Sequence, residues 1–131
     1  MNQPMKSSFV DRLKAQVEPE TEGAVNKYFG FDPQANGRAL MFELRTRDGR
    51  RSALPYSYLT RADFDPEKGI EIYVSSSVIL LKGRELEDIY FYLLQNRLTW
   101  VKEDASGTDI GEDGVFVEDI EIKDRAEVES E

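Results

Sequence analysis

Four arginines, Arg45, Arg47, Arg50 and Arg51, crowd around an Asp48-Gly49 turn. A guanidinium is a permanently charged planar fork that grips carboxylates and phosphates, so the chemistry these residues offer is anion recognition. The surrounding stretch 38–61 holds six arginines against Glu43 and Asp48, a net +4, while residues 103–131 carry a net −10 within a chain whose total is −9. The chain has no His and no Cys. That removes the side chain best suited to proton transfer near neutral pH, and with it the thiolate nucleophiles and thiolate metal centres. The expectation is a protein that is not an enzyme, with no catalytic residue, metal or cofactor. Its binding set for an anionic partner is Arg45, Arg47 and Arg51, with Arg50 beside them.

Other spacings that suggest chemistry have plainer explanations. Asp63, Asp65 and Glu67 resemble a calcium loop, but Gly69 falls one position late and Val74 stands where a bidentate Glu belongs, so a hairpin turn is expected. Ser75-Ser76-Ser77 has no histidine base and no nucleophile elbow around it, and reads as an irregular link between strands. Lys82-Gly83-Arg84 before a helix would set cations near free backbone N–H groups, although a glycine that ends a strand explains it more simply.

These residues must be held by strands. Leu40, Phe42 and Leu44 alternate with Met41, Glu43 and Arg45, the period of a half-buried strand. A three-residue loop, Arg47-Asp48-Gly49, sets Phe42 opposite Leu54 and Leu40 opposite Tyr56, which keeps the apolar residues on one face. The same register places Arg45 opposite Arg51 on the outer face. Further strands are expected over 61–65, 70–74, 78–82 and 98–102. A helix is expected over 84–96, with Leu86, Ile89, Tyr90, Leu93 and Leu94 on its apolar stripe.

The expected product is mainly β (α+β): a small antiparallel β-barrel or curved sheet of five to six strands, with one helix after the fifth. Residues 1–37 read as an N-terminal arm with a short helix at 8–17. Residues 38–103 form the barrel domain, and 104–131 an acidic C-terminal segment with an edge strand at 115–123. A unit this small buries only about 60% of its surface, so a homo-oligomer or a docked tail would add needed burial. Phe91 and Tyr92 fall off the helix's apolar stripe and are the candidate interface, unless the N-terminal arm covers them.

The stretches F-E-L-R-T-R-D-G-R-R-S-A-L-P-Y-S-Y-L (42–59), F-D-P-E-K-G-I (64–70) and V-I-L-L-K-G-R-E-L (78–86) resemble a family of small uncharacterised bacterial proteins. The resemblance spans roughly 38–103 and implies no activity. Leu81-Lys82-Gly83 followed by Leu86 is more loosely similar to the last strands of Sm-like RNA-binding barrels, which place their helix before the barrel.

Like charges facing across a strand pair cost a few tenths to ~1 kcal/mol. Either Glu43 and solvent screening offset the Arg45–Arg51 pair, or an anion does. The anion would be an unknown acidic protein partner, the chain's own acidic tail, or RNA or DNA for which that tail competes. No outward aromatic interleaves with the hairpin arginines, which argues against single-stranded nucleic acid. No apolar run approaches the ~20 residues of a membrane span, and the first ten residues lack the apolar core of a signal peptide. A cytoplasmic location with no membrane partner is expected.

Overall fold

Strand periodicity dominates the chain, and the computed structural model, which describes residues 26–34, 38–108 and 114–126, places eight strands and one helix among those residues. In order they are β1 (Phe29–Phe31), β2 (Met41–Arg45), β3 (Arg51–Pro55), a 3-10 turn (Tyr56–Tyr58), β4 (Leu59–Asp65), β5 (Gly69–Val74), β6 (Ser77–Arg84), α1 (Glu87–Leu94), β7 (Leu98–Lys102) and β8 (Phe116–Asp124). They form two four-stranded sheets, ordered β1-β7-β2-β3 and β4-β5-β6-β8. The mainly β character agrees with the alternation read above. The single barrel or curved sheet of five to six strands does not: there are two separate sheets, the described residues hold eight strands, and the helix among them follows the sixth.

Three features produce the difference. Phe29-Gly30-Phe31, too short to show a period, forms β1 by pairing antiparallel with β7. β7 also pairs parallel to β2, a long-range join that no local pattern announces. The third is Gly83, which does not end its strand. β6 continues to Arg84, with a bulge after Lys82, and pairs along its length with β8. A Cβ on Gly83 would lie 1.9 Å from the Phe116 carbonyl oxygen; the missing side chain permits close approach of a neighbouring strand. Lys82-Gly83-Arg84 therefore belongs to a strand, not to a helix N-terminus.

The inner faces of the two sheets meet in one core. Phe42, Leu44, Leu98 and Val101 from the first sheet pack with Ile70, Ile72, Ile79, Leu81 and Val117 from the second, and Leu86, Ile89 and Leu93 of the helix region close one side. Each such side chain contributes roughly 1.5–3 kcal/mol on full burial. Phe116, Val117 and Ile120 carry the C-terminal segment into this core, so β8 is an integral edge strand of the second sheet.

The helix is shorter than 84–96. It ends in a left-handed Asn96 (φ 56), with Asn96 N–H donating to Leu93 O at 3.1 Å and Arg97 N–H to Tyr92 O at 2.9 Å, the pairing of a Schellman stop. Leu94, expected in the core, is exposed. Tyr92 is stacked at 3.9 Å on Phe31 of β1, so the N-terminal strand covers it and leaves Phe91 exposed. The helix expected at 8–17 lies outside the described residues, as do 109–113 and 127–131.

Candidate functional site

The β2–β3 hairpin has the register the alternation requires. Phe42 faces Leu54, and Arg45 faces Arg51. Thr46 N–H donates to Arg50 O at 2.9 Å around the three-residue loop, and Gly49 takes φ 94, a left-handed position that glycine adopts without strain. Leu40 departs from its expected inward place: Tyr56 N–H reaches its carbonyl at 3.0 Å, yet its side chain is exposed.

The arginines separate into two groups. Arg45 and Arg51 converge on the outer face of the first sheet and share one carboxylate oxygen. Glu43 Oε1 accepts from Arg45 Nε at 2.7 Å and from Arg51 Nε at 3.1 Å and Nη2 at 3.0 Å. The Arg51 and Arg45 hydrogen bonds, in that order, hold the Glu43 carboxyl below its ordinary pKa. Two guanidinium groups against one carboxylate leave a net +1. The parallel β2–β7 pairing then adds Lys102 opposite Arg45 and Trp100 opposite Glu43. The Arg45 guanidinium carbon lies 4.5 Å from the Trp100 ring centroid, a cation–π stack.

Trp100 lies against β1. A Cβ on Gly30 would come within 2.1 Å of the indole Nε1. Gly30→Ala must therefore displace the ring; it is expected to cost about 1–3 kcal/mol by overpacking and to shift the emission of this tryptophan, the chain's one. Chemical denaturation followed by that emission checks both.

Arg47 turns the other way. Its Nε donates to Asp104 O at 2.9 Å and its Nη2 to Glu118 O at 2.8 Å, with Glu103 Oε2 3.8 Å away. The sequence groups it with Arg45 and Arg51, but the fold uses it to fasten the hairpin tip to the C-terminal segment. Arg50 stays at the turn, 3.7 Å from Asp48. That carboxyl is held below its ordinary pKa first by the Thr46 hydroxyl, then by Arg50 N–H.

Beneath Arg47 sits a group that charge counting misses. Glu103 is only 5% exposed. Its Oε1 accepts Arg47 N–H at 2.7 Å and its Oε2 accepts Ile120 N–H at 2.8 Å, so one carboxylate ties the hairpin of the first sheet to the edge strand of the second. These donors hold Glu103 below its ordinary pKa against the opposing effect of burial, while burial and the Glu103 carboxylate push Asp119 up. An ionised Asp119 is thus disfavoured in the folded state. Asp119→Asn keeps a donor toward Glu103 and removes that charge, so it should raise the melting midpoint by a few degrees at pH 7. With a raised folded pKa, the native chain loses stability as pH rises through the interval above 3.8. The advantage of the variant should therefore vanish in acid below that value, which thermal melts across pH will show.

No protein-family model, curated protein or solved structure matches this chain. Among the described residues no cluster of acidic side chains is arranged to hold a metal ion, and no helix is long and apolar enough to cross a membrane. Asp63, Asp65 and Glu67 line an open groove of about 570 Å³ along β4–β6. They serve the hairpin there: Asp65 Oδ1 accepts Glu67 N–H at 2.9 Å, and Asp63 pairs with Arg61 at 3.0 Å. The serines form the β5–β6 turn, with Val74 opposite Ser77 and Ser75 at φ 53.

Sequence reasoning named Arg45 and Arg51 correctly as neighbours and missed Trp100, Lys102 and Glu103. The first two reach the face through pairing between segments more than fifty residues apart. A signal for Glu103 exists: it follows Val101 by two, on the inward parity of β7.

Proposed function

We propose that this chain is a non-catalytic interaction module whose first-sheet outer face, formed by Arg45, Arg51 and Lys102 around Trp100, binds an acidic protein segment. The observation that carries the reading is the shared carboxylate. Arg45 and Arg51 both bond a single oxygen of Glu43, leaving guanidinium N–H groups and the Lys102 ammonium for a second carboxylate. The site has a built-in example of the anion it would accept. Arg47, fastened to residues 104 and 118, takes no part. The tail as a whole is a poor occupant, because β8 is paired along β6 on the other sheet.

A second reading, single-stranded RNA or DNA, is favoured by one observation. Trp100 and the guanidinium plane of Arg45 together make the stacking surface that the hairpin alone lacks. The acidic segment is preferred because the chain's −9 charge opposes a polyphosphate over a long range, whereas a short carboxylate segment meets only the local face.

Because the only tryptophan lies in the face, its emission reports binding directly. Titration with an Asp/Glu-rich peptide should change Trp100 emission saturably and in a salt-sensitive manner. A response to oligonucleotide but not to peptide would transfer the face to the second reading. No response to either would remove both.

A further inference from the structure

We propose that this chain forms a two-fold dimer by pairing β4 antiparallel with β4 of a second copy, with Ala62 on the axis. The interface lies on the second sheet, apart from the basic face of the first. It joins the four-stranded second sheets of the two copies into one continuous sheet.

A sheet edge presents unpaired backbone N–H and C=O groups, and folded proteins shorten, blunt or cover such edges. Three of the four edges here are treated in that way. β1 is three residues long, and β3 ends in Pro55, which has no N–H to offer. The outer side of β8 is taken. Val117 O accepts Asp104 N–H at 2.9 Å, Glu118 O accepts Arg47 Nη2 at 2.8 Å, and Ile120 N–H donates to Glu103 Oε2 at 2.8 Å. β4 runs seven residues without a proline, and among the described strands it pairs with β5 alone.

The residues of that edge select its occupant. An axis through Ala62 sets Arg61 of each copy opposite Asp63 of the other, giving two opposite-charge pairs on the outer face. An axis through Arg61 would oppose two guanidinium groups, and one through Asp63 two carboxylates. Of these three registers only the one at Ala62 avoids a like-charge pair. Within one copy Arg61 and Asp63 already lie together along the strand, Nε to Oδ2 at 3.0 Å, and both remain exposed. Pairing lets the same groups exchange partners across the axis. The backbone ladder supplies the affinity and the charges fix the register.

The inner side agrees. Phe64 stacks on Tyr90 with ring centroids 5.3 Å apart, which lays α1 against β4. Leu94, 60% exposed at the end of that helix, lines a groove with Leu59 and Ala62. Pairing at Ala62 brings Leu94 of both copies toward the axis, where this apolar surface loses water.

Sedimentation equilibrium of the full chain, from micromolar to millimolar concentration, should show monomer and dimer in exchange. Arg61→Asp and Asp63→Arg each set like charges across the axis, and each alone should weaken the dimer about tenfold or more. An equimolar mixture of the two variants should restore it, because every cross-strand pair is then opposite in charge. A native chain that stays monomeric, a dimer that neither variant weakens, or a mixture that does not recover overturns the proposal. Should either variant fail to fold, a cysteine decides. The chain has none, and the axis sets position 62 opposite itself at a Cα separation of roughly 4.5–5.5 Å, within disulfide range. Ala62→Cys should therefore oxidise in air to a linked dimer severalfold faster than Glu71→Cys, although Glu71 is the more exposed position. Equal or slower linkage at position 62 overturns the proposal.

Discussion

Glu103→Ala is expected to cost this fold about 2–5 kcal/mol, a large share of the ~5–15 kcal/mol typical of a domain. The reason lies in what the carboxylate leaves behind. Arg47 N–H and Ile120 N–H each lose an acceptor held at 2.7 and 2.8 Å, and an orphaned buried donor costs roughly 1–3 kcal/mol. The Arg47 guanidinium also loses its nearby negative charge. Glu103→Gln should fall between, since one amide oxygen can satisfy one N–H while its NH₂ faces the other. The Glu103 pKa is depressed in the fold, so its stabilisation is present above 4.5 and is lost as pH falls through the lowered folded value. The gap between native and Ala chains should therefore be full at pH 7 and shrink in acid. Urea denaturation at the two pH values measures it, and a cost below ~1 kcal/mol at pH 7 would mean the sheets are not held at this point.

Arg51→Glu with Lys102→Glu should weaken binding of the Asp/Glu-rich peptide about tenfold or more, equivalent to ~1.4 kcal/mol or above. The double change takes the face formed by Arg45, Arg51, Lys102 and Glu43 from a net +2 to −2. It spares Arg45, whose stack on Trp100 also serves packing. The carboxylate introduced at position 51 gives up the two hydrogen bonds to Glu43 but stands opposite Arg45 and replaces a like-charge pair with an opposite one, so at this exposed position stability should change by less than about 1 kcal/mol. Loss of binding in a variant that melts within a few degrees of the native chain would then be a statement about the face alone. Peptide affinity equal to that of the native chain would dismiss the face as the binding surface.

What could be read from sequence followed the range of the interaction that decides it. The β2–β3 register rests on alternation within a few residues, so Phe42 opposite Leu54 and Arg45 opposite Arg51 were legible. The Arg47 side chain was not, because its partners are backbone carbonyls at 104 and 118, which composition cannot show. Trp100 and Lys102 join the arginines only through the parallel β2–β7 pairing, whose partners are far apart in sequence. The barrel expectation failed for the same reason. It takes Gly83 as the end of a strand and Phe29–Phe31 as part of the N-terminal arm, whereas both are fixed by neighbouring strands, Gly83 by Phe116 and Phe29 by Val101. Glu103 was counted with the acidic tail although its position relative to Val101 points it inward.

Nuclear magnetic resonance of the arginine Nε–H groups during titration with the Asp/Glu-rich peptide asks whether Arg45 and Arg51 meet a partner's carboxylates while Arg47 stays committed to the fold. The predicted result is saturable movement of the Arg45 and Arg51 signals together with the Trp100 indole N–H, with Arg47 unmoved. Movement of Arg47 with Arg45 and Arg51 silent, or no movement of any of them at saturating peptide, would contradict it.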